Sequence, residues 1–594
     1  MNEPIRFWLI TSRKKISMDK KSELWDLAAI PFSRRGSYWA VSILEGRKPA
    51  RDGLWLRCIR QLFGSGALLR LEGFEGSSKE VLRFEPGVLE LLRADGLQVG
   101  ISFDGPDCLR LRIRGGLLRL EASDAVILAM GLGNGKWRLA SQSMNTLFHL
   151  VPLRGKLVVE APWTGKETSS VSVVCQPDRL DGEMELALIE SVCREPCSDR
   201  EFQRWEQCVE QGERDFRGFA GKQLPVPDEW ANAGHLAAYV NWSCLVRPTG
   251  RLQREAMYMS KNWMTAVWSW DHAVNALALA RGLPDMAWDQ FMVMFDLQDE
   301  GGCLPDAVSD RDLYVCHVKP PIHGWILERM MQEAPEGFYD GKRLREAYRV
   351  LAAQTGFWLE QRDPFGTGFP VYWHGNDSGW DNTTAMLTQS PIVGTDLLAY
   401  LIRQLEVLAG LARDLGLSQE AEKWQGERDR LLRGFQQTFW VDGRFAPAGT
   451  GVPGSVAPAA GADSLLPYMS VLLGTRLPEE ILRPLVDGLM QPGRFLTDWG
   501  LASESVASPH YESDGYWRGP IWAPAMLIVV EGLDAAGRVD LADDLAARFC
   551  RACARHGFAE NYDAISGRGL RDLGYTWTAS TFFVLANRLC RKSG

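Results

Sequence analysis

Long apolar runs are missing from this sequence. Nowhere in its 594 residues does a stretch approach the roughly 18 apolar residues of a membrane-spanning helix. The opening MNEPIRFWLITSRKKISMDKK turns charged after a few apolar residues, too soon for the apolar region of a secretory signal. Cysteine is thinly spread, with 12 in the whole chain. The close pairs Cys193/Cys197 and Cys550/Cys553 have no pair of histidines near them at zinc spacing. Cys550 and Cys553 read as buried small apolar residues of a helix. There is no excess of positive charge and no basic stripe: 66 Lys+Arg stand against 75 Asp+Glu, a net charge of -9. That removes the electrostatic footprint of a nucleic-acid binder. Histidine is scarce too, at eight residues. These absences describe a soluble protein of a reducing compartment, expected to be cytoplasmic. No membrane or nucleic-acid partner, metal or cofactor is expected.

What is abundant is tryptophan: 23 Trp beside 24 Phe and only 13 Tyr. Most of them follow residue 225. Broad, partly polar rings suit the faces of sugars, although they also serve as plain core residues. With 46% apolar and 24% charged residues, the composition is otherwise ordinary for a globular chain, and its length allows several domains.

The chain has two textures. Between about 25 and 190, apolar and polar residues alternate. Leu109, Leu111 and Ile113 interleave with Arg110, Arg112 and Arg114, which predicts one buried and one solvated face. Similar short runs at 37–44, 54–63, 117–121, 126–130 and 157–161 are separated by Gly, Asp, Ser or Pro, the pattern of an antiparallel β-sandwich. Charged residues 198–220 predict a connecting helix, and Pro225-Val226-Pro227 a linker. From Asp228 the period becomes helical, as in Leu398, Leu401, Leu405, Leu408 and Ala412. Helical stretches start near 228, 268, 284, 321, 342, 395, 418, 479, 520, 538 and 576, with weaker ones near 381 and 464. A dozen helices without a fixed repeat period predict a ring of six hairpins, an (α/α)6 barrel, over an α-solenoid. The expected domains are therefore a β-sandwich with its helix, 1–222, and a barrel, 223–594. Three long loops, 298–318, 362–379 and 491–517, are rich in Gly, Asp, His and aromatics, and long loops on a rigid scaffold are where sites are built.

Four strings carry acid, glycine and tryptophan together: Trp268-Ser269-Trp270-Asp271-His272, His374-Gly375-Asn376-Asp377-Ser378-Gly379-Trp380-Asp381-Asn382, Tyr516-Trp517-Arg518-Gly519-Pro520-Ile521-Trp522 and Phe558-Ala559-Glu560-Asn561-Tyr562-Asp563. Glycosidic hydrolysis commonly uses two carboxyl groups, one protonated for the leaving oxygen, the other a nucleophile or a base for water. Tryptophan walls that exclude water hold the acid's proton on near neutrality. Asp381 has the surroundings for the acid and Glu560 for the base. Each string also has a plain reading: Asp381 as a helix N-cap, Glu560–Asp563 as a polar turn, Trp268 and Trp270 as core, His374 as a structural histidine. The combination and order of the strings favour catalysis.

At these residues the chain resembles the inverting (α/α)6 glycosidases of glycoside hydrolase family 63 and its relatives. The similar segments are 268–271, Lys319-Pro320-Pro321-Ile322, 377–382, 516–522, 560–563 and 575–580. The resemblance implies Asp381 as general acid and Glu560 as general base. It places Trp270, Asp271, Gly379, Trp380, Trp517 and Trp522 around the non-reducing-end sugar, with Trp577 closing the pocket. Trp268, Lys319, His374 and Arg518 are further substrate-binding candidates. Lys319 stands where relatives often carry Gln, and no Arg follows Asn382-Thr383-Thr384, so the aglycone side departs from the family pattern. The expected activity is an exo-acting inverting hydrolase that releases a monosaccharide, glucose first, from an α-linked saccharide or small α-glycoside. A glycoside phosphorylase on the same scaffold needs a phosphate site in place of the base. An epimerase needs histidine chemistry, and a non-catalytic sugar-binding protein needs neither carboxyl.

Overall fold

The computed structural model describes residues 25–593 except 46–51, 61, 63, 78, 192–199, 442–443 and 446–458; Cys193 and Cys197 lie outside the described residues. An antiparallel β-sandwich precedes an (α/α)6 barrel. The strands are β1 (Trp39–Leu44), β2 (Gly53–Cys58), β3 (Ala67–Leu71), β4 (Val81–Glu85), β5 (Val88–Leu92), β6 (Gln98–Phe103), β7 (Cys108–Arg114), β8 (Leu118–Ala122), β9 (Val126–Gly133), β10 (Lys136–Ser141), β11 (Thr146–Arg154), β12 (Lys156–Glu160), β13 (Ser172–Gln176) and β14 (Glu183–Ser191). They form two sheets, ordered β1-β2-β3-β8-β13-β12 and β4-β5-β6-β7-β14-β11-β10-β9. Leu109, Leu111 and Ile113 of β7 are fully buried between them.

The opposite face of β7 is only partly solvated: Arg114 is exposed as the alternation predicts, but Arg112 is half-buried and Arg110 buried. Helix α1 (Trp205–Ala220) lies across it with Trp205, Cys208, Gly212, Phe216 and Phe219 turned inward, a stripe at helical spacing. Arg110 is buried and pairs with Asp104 at 3.1 Å and Glu185 at 2.7 Å. The Arg112 guanidinium stacks 4.7 Å above the Trp205 ring. Strand alternation separates two faces, but it does not reveal that a later helix will cover the charged one.

The barrel helices are α2 (Ala231–Cys244), α3 (Asp271–Leu279), α4 (Pro284–Met292), α5 (His323–Glu333), α6 (Gly341–Gly356), α7 (Thr395–Asp414), α8 (Ser418–Thr438), α9 (Glu479–Met490), α10 (Ala523–Ala535), α11 (Val539–His556) and α12 (Thr576–Ser593), with a 3₁₀ helix at Leu466–Arg476. Packing runs α3, α5, α7, the 3₁₀ helix, α10, α12 and back to α3, which closes an inner ring. Inner helices are apolar nearly all round, as in α10, where APAMLIVV is entirely buried. The outer α8 buries only Ala421, Trp424, Leu431 and Phe435. The stretch expected to be helical near 381 is instead loop, with short 3₁₀ turns at Gly375–Ser378 and Thr384–Met386. Gly379, at φ 75°, breaks the path. Cys550 and Cys553 are buried on α11. Among the described residues no helix is long and apolar enough to cross a membrane.

We propose a domain boundary at 222/223, between α1 and Pro225–Pro227. The apolar core nevertheless runs without a break from Leu27 in the sandwich to Ala586 in α12. A buried ionic cluster pins the joint: Arg60 of the sandwich pairs with Glu190 and with Asp310 of the 298–318 loop, and its guanidinium stacks on Tyr38 at 3.7 Å. Removing one member of such a cluster strands buried charge. Arg60→Met is expected to destabilise the protein by about 3 kcal/mol or more, read from urea unfolding followed by circular dichroism. A loss well under about 1 kcal/mol, the scale of surface pairs, contradicts this.

Candidate active site

Loops that enter the N-termini of the inner helices meet at one end of the barrel. Trp270 caps α3 and Asp271 is its first residue. Lys319 lies just before α5, Asp381 before α7, Trp522 before α10, and Glu560 before α12. In the ring order, α7 and α12 are three steps apart, so Asp381 and Glu560 approach from opposite sides. One pocket is lined by Met264, Trp268, Trp270, Asp271, Lys319, Gly379, Asp381, Tyr516, Trp517, Trp522, Glu560, Tyr575 and Trp577.

Its wall is a packed set of indoles. Trp517 and Trp522 stack with centroids 4.0 Å apart and planes 4° from parallel. Trp380 lies 4.4 Å from Trp517 on its other side. Trp577 meets Trp270 and Trp522 edge-on at 5.8 and 5.6 Å. The Trp270 ring presses on Gly379, where an added Cβ would come within 2.6 Å of it. Glycine is required there twice over, by this contact and by its positive φ.

Backbone pairing holds the carboxyl groups in place. Ile521-Trp522 pairs with Asn561-Tyr562, fixing Glu560 beside the Trp522 wall. The Glu560 N–H donates to the Asp572 carbonyl at 2.6 Å. Asn382 ties the Asp381 loop to the facing one: its amide donates to the Gly515 carbonyl at 2.9 Å, and its oxygen accepts from the Trp517 N–H at 2.9 Å. Asp381 is not an N-cap; Thr383 caps the adjacent 3₁₀ turn, accepting from the Ala385 N–H. Lys319 pairs with Asp306 at 3.0 Å and donates to the Asn376 carbonyl at 2.8 Å.

Three carboxyl groups line this pocket. Burial pushes Asp271 well above the ordinary carboxylate range, against the pull of Lys319. Asp381 is also raised, chiefly by burial, with Lys319 opposing and Asp306 assisting. Glu560 is pushed up to about 8 by burial and by the neighbouring Asp572, against a hydrogen bond from Tyr516. Tyr516 donates that bond at 3.2 Å. It sits at φ 64°, a strained conformation for a non-glycine residue, and feels the charges of Glu560, Asp381 and Asp271.

Three candidates, His374, Arg518 and Trp380, fall outside the lining. His374 is exposed, accepts from the Asn376 N–H and stacks on His317 at 4.8 Å, so its role is local, with only a distant charge effect on Asp381. Arg518 turns to Glu512 at 2.9 Å. Trp380 touches the pocket only through Trp517. Tyr516, Tyr575 and Met264 line the pocket without having been singled out. Tyr516 and Tyr575 lie in strings that carried the resemblance, whereas nothing local to Met264 signals a site.

The model of the "Mannosylglycerate hydrolase MGH1-like glycoside hydrolase domain" matches residues 264–578, more than half of the chain. The chain belongs to that family. It is a glycoside hydrolase of family 63 type, and carbohydrate is its substrate class. Mannosylglycerate hydrolase MGH1 of Selaginella moellendorffii is 23% identical over 53% of this chain and 78% of its own length. Mannosylglycerate hydrolase of Thermus thermophilus is 24% identical over 53% and 92%. The crystal structure of a bacterial glucoamylase complexed with acarbose aligns with TM-score 0.61 at 10% identity, covering 95% of this chain and 94% of that one. At that identity the likeness is one of fold, and it includes the sandwich as well as the barrel.

The electrostatics of this family member predict a pH effect with a definite sign. Tyr516 stabilises the ionised form of Glu560, so Tyr516→Phe raises the Glu560 pKa further. The acid-side limb of kcat/KM, which reports the free enzyme, is expected to move to higher pH in Tyr516→Phe. A limb that stays put or moves down contradicts the hydrogen bond's role.

Proposed function

We propose that the protein is an exo-acting, inverting α-glycosidase, with Asp381 as general acid and Glu560 as general base. The observation that supports this best is the placing of both carboxyl groups in one tryptophan-walled pocket, on loops from opposite sides of the ring. Asp381 keeps its proton in surroundings that disfavour charge and delivers it to the leaving oxygen. Glu560, ionised, draws a proton from water attacking the opposite face of the anomeric carbon. Trp517, Trp522, Trp270 and Trp577 hold the sugar ring, and Asp271 is placed to accept from its hydroxyls. Because Glu560 is pushed up by burial, the acid limb of the pH profile is expected well above an ordinary glutamate's 4.5.

We propose glucose as the released sugar. Mannose is the second reading, favoured by the names of the curated relatives. A panel of α-glucosides and α-mannosides with small aglycones, assayed without phosphate, separates them. It also separates hydrolysis from phosphorolysis, which stops when phosphate is withheld.

Asp381→Asn and Glu560→Gln are each expected to lower kcat by about 100-fold or more while melting near the wild-type temperature. Either variant retaining about a tenth of the wild-type rate loses its assigned role. The inverting reading requires room for a water, hence carboxyl groups about 6.5–9.5 Å apart. Proton NMR of early hydrolysis is expected to show the β-anomer first; an initial α-anomer indicates retention.

A further inference from the structure

Glu560 is tied to the sandwich domain through a short relay. The Asp572 carboxyl group accepts from the Ser260 hydroxyl at 2.5 Å, the Asn262 amide at 3.0 Å and the Trp263 N–H at 3.2 Å. The 260–263 loop is itself held from the other side. Arg57, fully buried on β2, donates to the carbonyls of Lys261 at 3.1 Å and Asn262 at 2.6 Å. The buried Lys261 ammonium donates to Ser33 Oγ at 3.0 Å and to the Ser37 carbonyl at 2.5 Å. Asn262 also donates to the Ala29 carbonyl at 2.7 Å. This loop and the sandwich both precede the family match, which begins at Met264.

We propose that Asp572 is a positioning residue for the Glu560 carboxyl group, and that Arg57, by holding the 260–263 loop against it, makes the sandwich part of the catalytic unit. The inference rests on the reading of Glu560 as the base. The contact runs through the backbone and through charge: the Asp572 carbonyl accepts the Glu560 N–H, and its negative charge holds the proton on Glu560. The other titratable or charged groups facing Glu560 are Tyr516, Arg571 and Tyr575. The Arg571 and Tyr516 side chains also stack, 5.7 Å apart.

The test is a set of kcat/KM and kcat pH profiles on the full chain. In Asp572→Asn a negative neighbour is lost, so the acid-side midpoint is expected to fall by about one pH unit. Loosening the loop is expected to lower the plateau kcat about tenfold. Arg57→Ala is expected to lower kcat about tenfold with KM changed by less than about threefold, because the base is displaced while the indole wall remains. Asn262→Ala keeps the carbonyl that Arg57 holds but removes the loop's amide donor to Asp572 and to the Ala29 carbonyl, with a smaller loss of volume, and gives the reading if Arg57→Ala does not fold. An unmoved midpoint in Asp572→Asn overturns the proposal. So does a wild-type kcat in folded Arg57→Ala or Asn262→Ala, since a merely structural link lowers the melting temperature alone. Glu560→Gln, run in parallel, separates the two levels: if it remains active, the base assignment fails and this inference falls with it. If it is inactive while Asp572→Asn matches wild type, only the positioning role fails.

Discussion

Keeping carboxyl groups away from water is costly, and the barrel end is organised around that cost. Asp271, Asp381 and Glu560 are all raised chiefly by burial. Part of the cost is met by position: Asp271 is the first residue of α3, where the free N–H groups and the helix dipole favour negative charge, whereas Asp381 and Glu560 lie on loops upstream of α7 and α12. Lys319 adds one cation between Asp271 and Asp381. Tyr516, held in a strained backbone conformation, supplies a donor to Glu560.

The indole wall follows from the same constraint. Trp517 packed between Trp380 and Trp522 makes a stiff apolar wall, its rings left with little conformational freedom. Stiffness here depends on small residues as much as on large ones. Gly379 lets Trp270 approach, and at Gly375 an added Cβ would collide with the Asp381 carbonyl at 2.1 Å. The glycines of the 374–382 string are therefore the space into which neighbouring elements fit.

The sandwich packs on this end of the barrel as part of one continuous core. Arg60 reaches the 298–318 loop, which carries Asp306 and so the partner of Lys319. Arg57 reaches the loop on which Asp572 rests. Two buried arginines on the same side of the molecule thus touch the supports of both carboxyl-bearing walls. A sequence match confined to the barrel does not cover that dependence.

Much of this was legible locally. Alternation in residues such as Leu109, Leu111 and Ile113 specified strands, and the three- and four-residue steps after Thr395 specified α7, because side-chain periodicity follows directly from backbone geometry. The acid-glycine-tryptophan strings marked the pocket loops, since site chemistry needs those residue types wherever they end up. Tertiary structure alone decided the rest. Arg110 looked solvated until α1 covered it, and Arg518 looked like a ligand residue until its side chain turned to Glu512. Asp381 could have been a cap, but Thr383 took that position. Asp572 and Arg57 carry no local signal at all, because their role lies in contacts between segments hundreds of residues apart. Such contacts depend on how closed surfaces meet, which no periodicity within either segment encodes.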